Sequence, residues 1–174
     1  MKKIISIFLV FVILFSLCAC GQAYKGAVHN VPFSAADWSW TQEQVKSAEG
    51  DPDEVYASIY GGDTYSYYRE YLGRQGTLKY MFTDDGKLAS IAWAYVDGDK
   101  SIIDDLYSQI RKDEISRNGK SSANTDGNST NGNTWYLNDC DILVYTIYLG
   151  EGSGLQYSYI NRDYSKRDIK NGDK

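Results

Sequence analysis

Apolar positions recur in three rhythms along the 174-residue chain, and each rhythm predicts a different kind of element. Ile4 to Leu17 is a continuous apolar run broken only by Ser6 and Ser16, preceded by Lys2 and Lys3. That order, basic then apolar then small residues, is that of a cleaved export signal. The run falls short of the ~20 residues that a membrane-spanning helix needs. Trp40-Thr41-Gln42-Glu43-Gln44-Val45 then sets Thr41 three residues before Gln44, the spacing of a capping box, with Trp40 and Val45 placed as a hydrophobic staple. This predicts a helix running to Glu49 and stopping at Gly50-Asp51-Pro52.

From there the rhythm shortens to two. Glu54–Tyr60, Thr64–Leu72, Thr77–Phe82 and Lys87–Val96 are aromatic and β-branched runs separated by Gly/Asp turns, which predicts antiparallel strands joined as hairpins. In the last of them Ile91, Trp93 and Tyr95 alternate with Leu88, Ala92 and Val96, so both faces are apolar and the strand belongs at the sheet centre. Helical spacing returns at Ser101–Ile115, where Ile103, Leu106, Tyr107 and Ile110 form one stripe. Ser101 with Asp104 resembles a capping box, and Arg111 and Lys112 lie toward the negative end of the helix dipole. Residues 118–133, NGKSSANTDGNSTNGN, carry almost no apolar side chain and are expected to form a mobile polar loop. Thr134–Leu137, Ile142–Leu149 and Leu155–Asn161 predict three more strands.

The expected fold is α+β, with two helices packed on one face of a largely antiparallel meander sheet in the order α-ββββ-α-βββ. The expected organisation is a signal peptide over residues 1–19, a tether over 20–33, one domain over 34–161 and a charged tail over 162–174.

Leu17-Cys18-Ala19-Cys20 resembles the bacterial lipobox, Leu-x-small-Cys, directly after the apolar run. The resemblance implies a lipoprotein lipidated at Cys20, its first mature residue, and anchored to a cell membrane without a spanning helix. Two or three acyl chains hold firmly because each buried methylene contributes about 0.8 kcal/mol. Trp40-Thr41-x-x-x-Val45 followed by Gly50-x-Pro52 resembles the helix-and-turn signature of BamE (SmpA/OmlA)-type small lipoproteins. The two-part element order also resembles the fold of β-lactamase-inhibitor proteins. The sequence departs from the first pattern where Glu49 replaces an apolar residue and where one helix, not two, precedes the strands. The resemblance implies a non-catalytic protein-binding module with an envelope protein as partner.

Charge and chemistry narrow the picture further. The chain is acidic, formally −5, and grows more acidic when Lys2 and Lys3 leave with the signal, which argues against nucleic acid as a partner. The one histidine, His29, sits in the tether beside Asn30 and Pro32, so no Ser-His-Asp, Cys-His or zinc set can be assembled inside the domain. Cys140 stands between Asp139 and Asp141, whose charges raise a thiol pKa and blunt its reactivity. Pairs of acids at Asp84-Asp85, Asp97/Asp99, Asp104-Asp105 and Asp139/Asp141 fall in turns and caps, where Asp is expected anyway, and none has calcium-loop spacing. The sequence therefore predicts no catalytic residue, metal site or cofactor, and not an enzyme.

Sixteen tyrosines leave one constellation to weigh. In a strand, Tyr65, Tyr67, Arg69 and Tyr71 share one face, opposite Ser66, Tyr68 and Glu70. Arginine and tyrosine are enriched in binding hot spots, which makes that face a candidate binding surface. The competing expectation is that it packs beneath a helix. A second functional reading is a surface module that binds a glycan or peptide through exposed aromatics.

Overall fold

The computed structural model describes residues 30–149 and 152–165. The signal segment, Cys20, the tether through His29 and the tail beyond Ser165 lie outside the described residues. Two helices and eight strands follow in chain order: α1 (Gln42–Glu49), β1 (Glu54–Ala57), β2 (Gly61–Tyr71), β3 (Arg74–Thr83), β4 (Leu88–Asp97), α2 (Lys100–Asn118), β5 (Ala123–Gly127), β6 (Thr130–Tyr136), β7 (Cys140–Leu149) and β8 (Gly152–Asn161).

This corrects the expected fold in order and in balance. The second half has four strands, giving α-ββββ-α-ββββ, and a single eight-stranded antiparallel sheet dominates the molecule. The sheet order β1-β2-β3-β4-β8-β7-β6-β5 is also not one continuous meander. Two four-stranded meanders meet where β4 pairs with β8, from Ser90↔Ile160 to Asp97↔Ser153. The extra strand, β5, comes from the segment expected to be a mobile loop. It pairs with β6 through Ala123↔Thr134 to Gly127↔Thr130, so backbone hydrogen bonds fix a stretch whose side chains supply almost no apolar burial.

The first helix forms as its pattern requires. Thr41 Oγ1 accepts from the Gln44 backbone N–H (3.3 Å), and Gln44 Oε1 accepts from that of Thr41 (2.8 Å). Gly50 closes it at φ +91°, a backbone conformation that disfavours any residue with a Cβ. The second helix starts earlier than expected, because Asp99, not Ser101, is the N-cap and accepts from the Ser101 N–H (2.8 Å). Asp104 is thereby released for Lys100 (2.6 Å) and the Tyr148 hydroxyl (2.5 Å). Between β2 and β3 the turn falls at Leu72-Gly73, both at positive φ (52° and 71°), earlier than the glycine-rich stretch suggested.

Both helices lie on one face of the sheet. That face carries Tyr65 and Tyr67 on β2, Leu78 and Tyr80 on β3, Ile91 and Trp93 on β4, Tyr157 and Tyr159 on β8, Ile142 and Val144 on β7, and Trp135 on β6, all buried. Val45 of α1 and Ile103, Leu106 and Ile110 of α2 close over it. Residues 30–33, expected to belong to the tether, are docked onto the same core. Val31 is buried, and the Phe33 ring meets Tyr71, Tyr157 and Tyr159 edge-on at 5.5, 5.1 and 6.1 Å. At the other end Arg162–Tyr164 forms a short 3-10 turn, so the expected charged tail begins with ordered structure.

Candidate functional site

The tyrosine face proposed from the sequence is assembled as one face, and α1 covers it. Tyr65 is 4 % and Tyr67 1 % exposed. The Tyr65 hydroxyl donates to Gln42 Oε1 (3.0 Å), and that of Tyr67 to the Gly50 carbonyl (3.2 Å). Arg69 donates to the Glu49 side chain (3.2 Å) and backbone carbonyl (2.7 Å) while lying over the Tyr67 ring. Tyr71 meets Phe33 and Trp93 edge-on. Burial, aided by the neighbouring Glu49 and Tyr65, pushes the Tyr67 phenol up to about 12, and burial does the same for Tyr71. Tyr65, Tyr67 and Arg69 therefore bind the protein's own first helix and Tyr71 packs on Phe33 and Trp93, while the exposed ring of this strand is Tyr68, on the opposite side.

Beneath α2 lies a second polar cluster that no sequence pattern announced. Glu114 is fully buried, and its Oε1 accepts from the Tyr159 hydroxyl (2.8 Å), from Arg117 Nη2 (2.7 Å) and from the Tyr157 hydroxyl. Its Oε2 accepts from Asn118 Nδ2 (2.5 Å). Burial and the adjoining carboxylate push both phenols far above their ordinary range. Both oxygens of the carboxylate are engaged by donors and the side chain is fully buried, so the cluster ties α2 to β8.

Other candidate chemistry is likewise committed to the fold. Cys140 is buried at the start of β7, and burial, then Asp139 and Asp141, push its thiol well above the ordinary range. Thr83 and Lys87 hold Asp85, while Asp97 accepts from Tyr95 and from the Asp99 N–H. Among the described residues no three His, Cys, Asp or Glu side chains converge as a metal site would require.

What remains open is the other face of the sheet. On it Ser90, Ala92 and Ala94 of β4 lie beside Ile160, Ser158 and Gln156 of β8, with Ser90, Ala92 and Ser158 buried. Larger side chains rise along β7 at Leu143, Tyr145 and Ile147. Between these side chains and the Ile59-Tyr60 segment lies a trough. Its deeper part has a volume of about 330 Å³, lined by Ile59, Tyr60, Tyr136, Leu143, Tyr145 and Ile160, with Tyr164 at one end. A shallower part of about 210 Å³ continues past Leu143 and Tyr145 to Ile147 and Gln156. Tyr145 is fixed in the floor, its ring against Gly132 and its hydroxyl 2.9 Å from Thr134 Oγ1. At the rim Ile59 is 82 % and Ile147 46 % exposed. One signal for this trough was present in the sequence. Ile142–Leu149 is apolar on both alternations, more than a strand with one ordinary wet face requires.

No family model matches the chain, and no curated protein does. Similar solved structures include a DUF4309 family protein (YjgB) from Bacillus subtilis, at 10% identity and a TM-score of 0.43, covering 68% of this chain and 79% of that one. Another is an extracellular protein containing an SCP domain from Bacillus anthracis, at 11% identity and 0.36, covering 71% of this chain. The chain matches 43% of the length of that second protein. At these scores neither structure bears on activity or partners. Among the described residues no helix is long and apolar enough to cross a membrane.

Proposed function

We propose that the protein is an exported, lipid-anchored component of a cell envelope whose domain works by binding a protein partner rather than by catalysis. The lipobox-like Leu17-Cys18-Ala19-Cys20 supports the anchor. The observation that carries the binding role is the trough on the helix-free face, a ligand-sized hollow of about 330 Å³ with aromatic and aliphatic walls. Its occupant is an extended segment of an envelope protein that sets apolar side chains along the trough and basic ones at its Tyr60–Tyr164 end. The basic flank follows from charge: Asp84, Asp85, Asp139, Asp141 and Asp163 gather there against Lys87 and Arg162, on a chain of net charge −5.

The anchor is tested by Cys20→Ala, which should move the protein from the membrane to the soluble fraction; retention on the membrane overturns it. The trough is tested by placing a photo-crosslinking residue at Ile147 or Ile59 in cells and mapping the captured segment by mass spectrometry. An apolar stretch flanked by Lys or Arg, lost in an Ile59→Asp/Leu143→Asp variant that still folds, sustains the reading. An acidic segment, capture of the protein's own copies alone, or capture indifferent to those substitutions refutes it.

A further inference from the structure

We infer that the hollow between α2 and the β5–β6 hairpin is a second binding site, for a neutral saccharide. The helix side of the sheet changes character at this end. Its last fully buried apolar residues there are Val144 on β7 and Trp135 on β6, and past them the same face carries Tyr148 on β7, Asn131 and Asn133 on β6, and Asn124 and Asp126 on β5. The two outermost strands thus present a ladder of amides beside α2, whose Tyr107 covers Asn133 and leaves Asn124 and Asp126 exposed. Together with Tyr107, Ser108 and Arg111 of α2 these side chains enclose about 340 Å³. That volume lies within the range of small-molecule sites, roughly 300–1,000 Å³.

The floor of this hollow is pre-set. Asn133 is 2 % exposed, its Oδ1 accepts from the Tyr107 hydroxyl (2.5 Å), and its Nδ2 donates to Asn124 Oδ1 (2.6 Å) and Ser121 Oγ (3.0 Å). Asn124 is thereby turned so that its carbonyl faces inward and its amide hydrogens are left for solvent or a ligand. The Asn131 amide is satisfied with its nitrogen toward Asp126 Oδ1 (3.2 Å). Arg111 and Asp126 both lie close enough to Tyr107 to act on its phenol electrostatically, yet among the described residues neither enters an ion pair. A guanidinium on α2 and a carboxylate on β5 thus flank the hollow from its two sides.

The ligand class follows from this donor and acceptor set. Of the groups left toward the hollow, the Asn124 amide hydrogens and Arg111 donate, Asp126 accepts, and the Ser108 hydroxyl does both. Adjacent sugar hydroxyls, which donate and accept at neighbouring positions, can satisfy all of them at once. The half-exposed Tyr107 ring offers the apolar wall against which a pyranose C–H face lies. An anion would meet Asp126, and a cation would meet Arg111. An apolar ligand would leave the Asn124 amide hydrogens, Ser108, Arg111 and Asp126 without partners, at the cost of their desolvation. A neutral polyhydroxyl ring conflicts with none of these groups.

The test uses the folded protein against immobilised neutral oligosaccharides in two arms. One arm carries N-acetylhexosamine strands of the cell-wall type, and the other carries galactose-, mannose- and glucose-based chains. Arg111→Ala and Asp126→Ala lie on the surface and should leave the melting temperature unchanged. Binding in either arm that falls at least ~10-fold in both variants, and survives Ile59→Asp in the trough, supports the site and names its source. Silence in both arms overturns the inference, as does binding indifferent to Arg111 and Asp126. Because the trough variant is carried alongside, failure here and failure of the protein-binding reading are read separately.

Discussion

Replacing Glu114 by glutamine tests whether the buried cluster under α2 fastens that helix to β8. The substitution preserves shape but removes the charge that four donors face: Tyr157, Tyr159, Arg117 and Asn118. A hydrogen bond to a charged group contributes about 1.5–3 kcal/mol, and a neutral one about 0.5–1.5 kcal/mol. The drop is therefore roughly 1 kcal/mol per bond, or about 4 kcal/mol over the set. One amide hydrogen must also point at a former donor. Against this, the Arg117 side chain is 33% exposed and can recover part of its hydration. The balance is about 3 kcal/mol, at the lower edge of the 3–5 kcal/mol seen when a buried charge pair is broken. Urea denaturation followed by tryptophan fluorescence should place the Glu114→Gln midpoint about 1–3 M lower, given slopes near 1–3 kcal/mol/M. Tyr159→Phe should then cost clearly less in the Glu114→Gln background than alone, because the two share one interaction. A loss below ~1 kcal/mol, or additive costs, would refute the reasoning that the carboxylate is the centre of the cluster.

Phe33→Ala should cost about 2–3 kcal/mol in the same assay, below the 3–5 kcal/mol of a fully buried phenylalanine because the ring is half-exposed. No loss would mean that residues 30–33 do not dock in solution. Gly132→Ala drives a methyl to 2.3 Å from the Tyr145 ring and should cost about 1–3 kcal/mol by overpacking, whereas Gly152→Ala meets nothing within 4 Å and should be near neutral. Equal melting temperatures for the two variants would contradict the packing. Alkali should unfold the domain with a determined sign. Tyr67 and Tyr71 are raised by burial to about 12 when folded, against about 10 unfolded, so the folded state holds more protons. Their contribution is complete below pH ~10 and is lost as pH rises through ~12. Phenolate absorbance should accordingly rise in two stages, exposed tyrosines first and buried ones together with the loss of circular dichroism. A single smooth titration would count against their burial.

The first helix and the centre of the sheet were legible because their signals are local. Thr41, Gln44 and Gly50 need only each other to start and stop a helix, and alternation of apolar residues on both faces of Leu88–Asp97 is a property of that stretch alone. The pairing of β4 with β8 was not legible, since it joins residues 56 to 70 positions apart and any apolar strand would have satisfied the same pattern. β5 was hidden for the opposite reason. Its side chains, Asn124 to Gly127, bury almost nothing, so its order comes from backbone bonds to β6 and an amide ladder that exist only once β6 is in place. The same division governs the sites. Tyr65, Tyr67, Arg69 and Tyr71 were placed on one face by the period of a strand, but only the packing of α1 decided that this face is interior. The trough and the amide-lined hollow draw on strands from both halves or on a helix and a hairpin. A chain's composition can state which side chains prefer contact with one another. Which of them are left facing solvent is settled by where the helices come to rest on the sheet.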